Sequence, residues 1–88
     1  MINKNEILIG SKPSMSYVLA MMTRLSSDNT VKVRARGKSI SKAVDVTEIV
    51  RNKFMKDAKV SVLIGTQKLE NRNKQKVNVS TIEITMTK

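Results

Sequence analysis

The sequence predicts an α+β domain in which two helices pack on one face of a mixed four-stranded sheet. Two stretches carry apolar residues at helical spacing, and four others have the apolar or alternating pattern of strands. Their order is β-α-β-α-β-β, and stacking both helices on one side of the sheet is the simplest way to bury their apolar stripes. The 88 residues contain no linker, repeat or low-complexity segment, so a single domain spanning residues 1–88 is predicted.

The first strand and helix follow a polar segment, residues 1–5, that is expected to be a frayed terminus. Ile7-Leu8-Ile9 is a short apolar run and is predicted to be a central strand buried on both faces. Pro13 suits the first turn of a helix, because the N–H that proline lacks has no partner there. This helix is predicted to end near Ser26. Its expected apolar stripe consists of Met15, Val18, Leu19, Met22 and Leu25.

The second strand, residues 30–36, alternates between apolar and basic side chains. The apolar face is Val31, Val33 and Ala35, and the basic face is Lys32, Arg34 and Arg36. Because cations on one strand face repel one another, an anionic group is expected across them. Gly37 ends the strand in a turn that carries Lys38, and Ser39 or Ser41 is expected to cap the next helix.

The second helix is predicted from about Ser39 to Phe54 or Met55. Its stripe is Ile40, Ala43, Val44, Thr47, Val50 and Phe54, with Ile49 alongside. A third strand is predicted from Lys59 to about Leu69. Its apolar face is Val60, Val62 and Ile64, and Gly65 marks a bulge or bend.

The fourth strand is predicted from about Val77 to Thr87. Its alternation changes phase at Ser80-Thr81, which indicates either a β-bulge or a local change of the buried face. The polar segment between the last two strands is rich in asparagine and carries four cations, Lys68, Arg72, Lys74 and Lys76. We interpret residues 66–78 as a hairpin arm that reaches beyond the body of the domain.

The composition favours a polyanionic partner and disfavours catalysis. Seventeen lysines and arginines against seven carboxylates give a formal net charge of +10, which favours nucleic acid or an anionic membrane surface. The sequence contains no cysteine and no histidine, so it lacks the commonest metal ligands and the usual general base near neutral pH. We therefore expect a protein that is not an enzyme and that needs no metal or other cofactor.

Membrane insertion and secretion are not expected. No apolar run approaches the roughly 20 residues of a membrane span, and the first residues lack the apolar core of a secretory signal. The sequence predicts a soluble intracellular protein.

Long consecutive segments of the chain resemble the Alba family of archaeal chromatin proteins. The segments that carry the resemblance are Ile9-Gly10-Ser11-Lys12-Pro13, Tyr17-Val18-Leu19-Ala20, Ala35-Arg36-Gly37-Lys38-Ser39-Ile40-Ser41-Lys42-Ala43-Val44-Asp45, Glu48-Ile49-Val50-Arg51-Asn52-Lys53-Phe54 and Val79-Ser80-Thr81-Ile82-Glu83-Ile84. The resemblance implies a fold similar to the C-terminal domain of a bacterial translation initiation factor. It also implies a nucleoid-associated homodimer that coats double-stranded DNA and binds RNA.

The resemblance also implies roles for particular residues. Basic loops over the DNA backbone and hairpin arms along the minor groove are the family's contacts. The positions that match them, together with neighbouring cations, are Lys12, Arg34, Arg36, Lys38, Lys42, Lys68, Arg72, Lys74 and Lys76. Asn52 and Phe54 match positions near the contact between dimers packed side by side on DNA. One departure is Ser11, which stands where many members carry an acetylated lysine, so regulation by that route would need Lys12 instead.

Each of these residue sets also has a structural interpretation. The loop cations could be ordinary solvated charges, and a basic hairpin tip could simply protect strand edges from aggregation. Phe54 could belong to the core or to an interface, whereas Tyr17 is expected to be a packed residue with a satisfied hydroxyl.

Two other functions remain open from the residues alone. One is an RNA-binding module of the same fold that acts in RNA stabilisation or a ribonucleoprotein. The other is a nuclease. That activity would need clustered carboxylates for a metal ion, and only Asp45 and Glu48 share a helical turn, among cations.

Overall fold

The computed structural model describes residues 5–88, so of the expected frayed terminus only Asn5 lies within the described part. The elements in chain order are β1 (Glu6–Leu8), α1 (Ser14–Ser27), β2 (Thr30–Arg36), a 3-10 turn (Gly37–Ser39), α2 (Ile40–Lys53), β3 (Lys59–Glu70) and β4 (Lys76–Thr87). The strands form one sheet in the order β1-β2-β4-β3, with β1 parallel to β2 and the other pairs antiparallel. The predicted α+β layout is confirmed.

The core lies between the two helices and one face of the sheet. Val31 and Val33 of β2 are completely buried and pair with Met86 and Ile84 of β4. Helices α1 and α2 add apolar side chains to the same cluster. The alternation predicted for β2 is confirmed, because its apolar residues face this core and its basic residues face away from it.

Strand β1 is at the edge of the sheet, and its prediction as a central strand was wrong. It pairs only with β2, because the β3–β4 hairpin occupies the other side of β2. Leu8 lies on the face opposite the helices and is 59% exposed, whereas Ile7 and Ile9 are buried.

The predicted apolar stripes of the helices were partly wrong in phase. In α1, Val18 and Leu25 are buried as expected, but Leu19 is exposed and Met21 takes its place in the core. The buried α1 residues are Tyr17, Val18, Met21 and Leu25, and Met15 of the predicted stripe is exposed. In α2, Val44 and Phe54 are exposed, and the buried residues are Ala43, Val46, Thr47 and Val50. A buried arc of this width fits contact with the sheet and with the other helix.

A backbone turn precedes α2 instead of the expected serine cap. Gly37 adopts a φ of 57°, a left-handed conformation that glycine accepts readily. Its carbonyl accepts the N–H of Ile40. Ser39 occupies the capping position without a side-chain hydrogen bond to the helix.

The phase change in β4 is a change in the face that carries the apolar residues and not a bulge. The β3–β4 register runs without interruption from the Lys59–Thr87 pair to the Glu70–Lys76 pair. Gly65 stays in register opposite Thr81, so of the predicted bulge or bend, the bulge is absent. Ile82 and the later even-numbered residues face the core, whereas Val77 and Val79 lie on the other face, where the hairpin extends past the helices.

The difference between Leu25 and Leu19 predicts a difference in stability. Leu25→Ala should lower the free energy of unfolding by about 2–5 kcal/mol, because it leaves a cavity in a completely buried position. Leu19→Ala, the matched control at a position that is 64% exposed, should cost less than about 1 kcal/mol. Urea unfolding at one fixed protein concentration measures both. Equal losses would contradict the orientation of α1.

Candidate nucleic-acid interface

Three segments with exposed cations lie at one end of the sheet, which we call the loop end. Because β1 and β2 are parallel, the β1–α1 loop (residues 9–13) and the 3-10 turn after β2 both follow strands that finish at this end. The antiparallel pairing of β4 with β2 places the β3–β4 hairpin there as well, since Arg36 pairs with Thr81 and Thr30 with Thr87. The sheet topology thus brings together residues that are far apart in sequence.

The β1–α1 loop carries the exposed side chain of Lys12. Its backbone forms hydrogen bonds with one side chain from each helix. The backbone N–H groups of Gly10 and Lys12 donate hydrogen bonds of 2.8 and 3.2 Å to the Tyr17 hydroxyl oxygen. The Lys42 ammonium donates to the Gly10 carbonyl at 3.0 Å and to the Lys12 carbonyl at 2.9 Å. Lys42, one of the predicted binding residues, therefore has backbone partners inside the protein.

The basic face of β2 has anionic partners within the chain. Lys32 lies 3.4 Å from Glu83 of β4, and Arg34 lies 3.8 Å from Glu6 of β1. These two carboxylates are the anionic groups expected across the strand. Arg36 is exposed, and the ion pairs found in residues 5–88 do not include it.

The turn after β2 places a second exposed cation beside Arg36. Lys38 lies within the 3-10 turn and is exposed. Gly37 brings this turn against the hairpin, because a Cβ built on Gly37 would lie 3.5 Å from the Val79 side chain. The turn and the base of the arm are thus in contact.

The hairpin arm carries four further cations and has an ordered tip. Lys68, Arg72, Lys74 and Lys76 are all exposed. At the tip, the Asn71 side-chain oxygen accepts the N–H groups of Asn73 and Gln75 at 2.9 and 3.0 Å. Lys74 has a φ of 61°. The described chain measures 44 × 24 × 20 Å, and the arm is the part that extends past the helices.

Asn52 and Phe54 lie together at the end of α2. The Phe54 side chain is 54% exposed, so it is not a core residue. The Asn52 amide donates a hydrogen bond of 3.3 Å to Glu48, which also lies 3.6 Å from Arg51. Phe54 is therefore available as an apolar contact beside a polar cluster.

The described residues hold no group of three or more histidine, cysteine, aspartate or glutamate side chains that could bind a metal ion. Among the same residues, none of the helices combines the length and apolar character required to cross a membrane.

Sequence reasoning placed the exposed cations but missed the residues that support them. The prediction that Tyr17 is packed with a satisfied hydroxyl is confirmed, but the loop that supplies its partners was not identified, and Glu6 and Glu83 were given no role. The lysine at position 42 lies 32 residues from Gly10 in sequence. No local pattern connects such residues, and only the positions of the helices on the sheet could have revealed the contact.

Comparison with known proteins relates this chain to one family. The Alba family model matches residues 5–85. "DNA/RNA-binding protein Alba" of Picrophilus torridus is 45% identical over 91 residues and is matched over the full length of both chains. The Thermoplasma acidophilum protein of the same name is 46% identical over 90 residues, again covering both chains completely.

Solved structures have the same fold. Alba from Thermoplasma volcanium superposes with a TM-score of 0.89 at 46% identity, covering 96% of this chain and all of the other. ALBA1 from Trypanosoma brucei gives a TM-score of 0.77 at 26% identity, covering all of this chain and 72% of that one.

The hairpin tip yields a prediction about local order. Asn71→Ala removes the oxygen that accepts two N–H groups, so the backbone order parameters of residues 72–74 should fall from about 0.8 to below about 0.6. Asn78→Ala, the matched control at an exposed β4 position, should leave the tip unchanged. Nitrogen-15 relaxation measures both, and an unaltered tip in Asn71→Ala would refute the stated role of Asn71.

Proposed function

The chain belongs to the Alba family, and we propose that it is a chromatin protein that coats and compacts double-stranded DNA as a homodimer, largely independently of sequence. The observation that carries the proposal is the convergence of three segments with exposed cations at the loop end of the sheet. The names of its relatives, which include DNA and RNA binding, agree with it. Association with the nucleoid follows from this function.

The proposed mechanism is phosphate neutralisation. Lys12, Arg36 and Lys38 are the exposed cations of the two loops and contact the DNA backbone, while the arm cations lie along the minor groove. Phosphates carry no sequence information, and the minor groove distinguishes the base pairs poorly. Binding through these groups is therefore largely independent of sequence, and the mechanism has no catalytic step and no cofactor.

The contacts divide the sequence-derived set into two groups. Arg34 and Lys42 already have partners within the chain at 3.8 Å or less. They contribute positive potential more than direct contacts to phosphate. Arg36, Lys38 and the arm residues have side chains exposed to solvent, and we assign the direct contacts to them together with Lys12.

A homodimer is supported by strand β3. It is an edge strand, and Val62, Leu63 and Ile64 are 57, 66 and 76% exposed. Val62 and Ile64 project from one face, because alternate residues of a strand share a face. Exposed apolar residues in a row on a free strand edge are typical of an interaction site. A two-fold axis through this region would also join the basic surfaces of two copies.

Packing of dimers side by side on DNA is proposed to involve Phe54 and Asn52. The half-exposed aromatic ring at the end of α2 is the kind of side chain that is enriched at interfaces. Such packing makes binding cooperative along a long duplex and compacts it.

RNA is the second candidate partner, favoured by the printed names of the relatives. A surface that recognises the backbone by charge and shape also suits the A-form duplex. Competition between a DNA duplex and the RNA duplex of the same sequence at physiological salt decides between the two.

The electrostatic mechanism predicts a steep salt dependence. A dimer that contacts about six phosphates should give a slope of about −5 when the logarithm of the association constant is plotted against the logarithm of salt concentration. Arg36→Gln should reduce the magnitude of this slope by about 2, one contact per subunit. Fluorescence anisotropy with a labelled duplex measures the slope.

Lys88→Gln is the matched control for charge. Lys88 is exposed and follows the Thr87–Thr30 pair at the end of the sheet opposite to Arg36. It should change neither the slope nor the affinity by more than about twofold. Equal losses in the two variants would mean that bulk charge alone drives binding, and a slope near zero would refute phosphate neutralisation.

The dimer interface predicts a change of mass. Ile64→Asp places a charge at a position that is 76% exposed in the single chain, so it should prevent association without damaging the fold. Sedimentation equilibrium at micromolar concentration should show a dimer for the unchanged protein and a monomer for the variant. Ser61→Asp, exposed earlier on the same strand, is the control. A monomeric unchanged protein would contradict the proposed dimer.

A further inference from the structure

We propose that Tyr17 and Lys42 are positioning residues for DNA binding, which hold the β1–α1 loop in the shape that presents Lys12 to a phosphate. The inference rests on the proposed function, in which Lys12 contacts the DNA backbone. It assigns a binding role to two residues that do not themselves need to touch the ligand.

Two alternate residues of the loop, Gly10 and Lys12, each have both backbone polar groups hydrogen-bonded to a side chain. The N–H groups of Gly10 and Lys12 share the Tyr17 hydroxyl oxygen as acceptor, and the carbonyl oxygens of the same two residues share the Lys42 ammonium as donor. Four backbone groups thus have partners on two side chains. Ser11, between the two held residues, is exposed together with the Lys12 side chain.

Tyr17 cannot act by direct contact with DNA. Its side chain is only 7% exposed and belongs to the core cluster of α1. The ring is therefore fixed by packing, and its hydroxyl gives the loop a rigid anchor. Substitution of this hydroxyl changes no charge, so any effect on DNA binding would come from the loop.

Lys42 has an electrostatic role in addition to a mechanical one. Carbonyl oxygens that point towards a phosphate would repel it, because they carry partial negative charge. The Lys42 ammonium binds two of these oxygens at 2.9–3.0 Å. It therefore compensates the partial negative charge of both oxygens. Lys42 comes from α2, whereas Tyr17 comes from α1, so the loop shape depends on both helices at once.

Fixing the loop before binding should increase affinity. A loop that is free in solution loses conformational entropy when it binds, and this loss reduces the observed affinity. A loop that folding has already ordered avoids that loss at the moment of binding. Ordering the loop is therefore expected to raise the affinity for DNA without changing the number of phosphate contacts.

The test compares the salt dependence of DNA binding among matched variants. Tyr17→Phe removes the loop acceptor without changing charge. Thr47→Val is its control, because Thr47 is buried and its hydroxyl donates to the Ala43 carbonyl within α2, away from the loop. Lys12→Met removes the proposed phosphate contact. Each variant is titrated with the same DNA duplex at several salt concentrations.

A positioning residue and a residue that contacts phosphate directly are expected to change the salt dependence of binding differently. Tyr17→Phe should weaken binding about three- to tenfold at every salt concentration with an unchanged slope. Lys12→Met should reduce the magnitude of the slope by about 2 per dimer. In the double variant Tyr17→Phe/Lys12→Met, the loss should be smaller than the product of the single losses, because loop shape acts through Lys12.

The same titration separates the two possible roles of Lys42. Lys42→Met should weaken binding with less change of slope than Lys12→Met, and Lys42→Arg should restore part of the affinity. A slope change in Lys42→Met equal to that of Lys12→Met, with Tyr17→Phe unaffected, would show direct phosphate contact and overturn the proposal. Tyr17→Phe binding as tightly as Thr47→Val would overturn it as well.

Amide hydrogen exchange tests the loop independently of DNA. The Gly10 and Lys12 amides should be protected in the unchanged protein and should exchange at least tenfold faster in Tyr17→Phe, but not in Thr47→Val. If the unchanged protein binds no nucleic acid, the proposed function fails whatever the exchange rates are. If it binds with the expected slope but loop exchange is unaltered in Tyr17→Phe, only the positioning role fails.

Discussion

The parallel pairing of β1 with β2 is the constraint on which the basic surface depends. Ile7 pairs with Val33, and both strands end at the same end of the sheet. The β1–α1 loop and the 3-10 turn before α2 must therefore both lie at that end. If β1 were antiparallel to β2, the loop with Lys12 would be at the opposite end from Arg36 and Lys38. Only three residues of β1 pair in this way, so a short strand determines the position of the loop that carries Lys12.

The distribution of charge makes a net charge of +10 compatible with a small domain. On the face of the sheet opposite the helices, Lys32 and Arg34 are matched by Glu83 and Glu6. Those two pairs reduce repulsion within the body of the sheet, although as partly exposed pairs they add little stability of their own. Among residues 5–88, the cations outside these ion pairs include Arg36, Lys38 and the four cations of the arm. Their side chains are exposed, so solvent screens them and an anionic partner can approach.

The parts of the fold that depend on local pattern could be predicted, and those that depend on strand order could not. The alternation from Val31 to Arg36 and the presence of two amphipathic helices follow from residue spacing, so the predicted β-α-β-α-β-β order was correct. The edge position of β1 depends on which strand pairs with the other side of β2, and three residues of sequence contain no signal for that. The same limit applies to Leu19, since the helical stripe fixes an arc of residues but not the side of the arc that the second helix covers.

In the candidate site, too, local sequence patterns predicted some features and missed those that depend on tertiary contacts. Exposed cations were found because charge and turn chemistry are local properties. Lys42 was included among the predicted contact residues, but its ammonium donates to two carbonyl oxygens of the β1–α1 loop.

A basic residue near a binding surface can serve either the ligand or the backbone that presents other cations, and sequence alone does not separate these roles. This distinction matters more here because Ser11 contributes no cation to the loop. Lys12 is the single cation of residues 9–13, so the position of its ammonium alone determines where this loop presents positive charge.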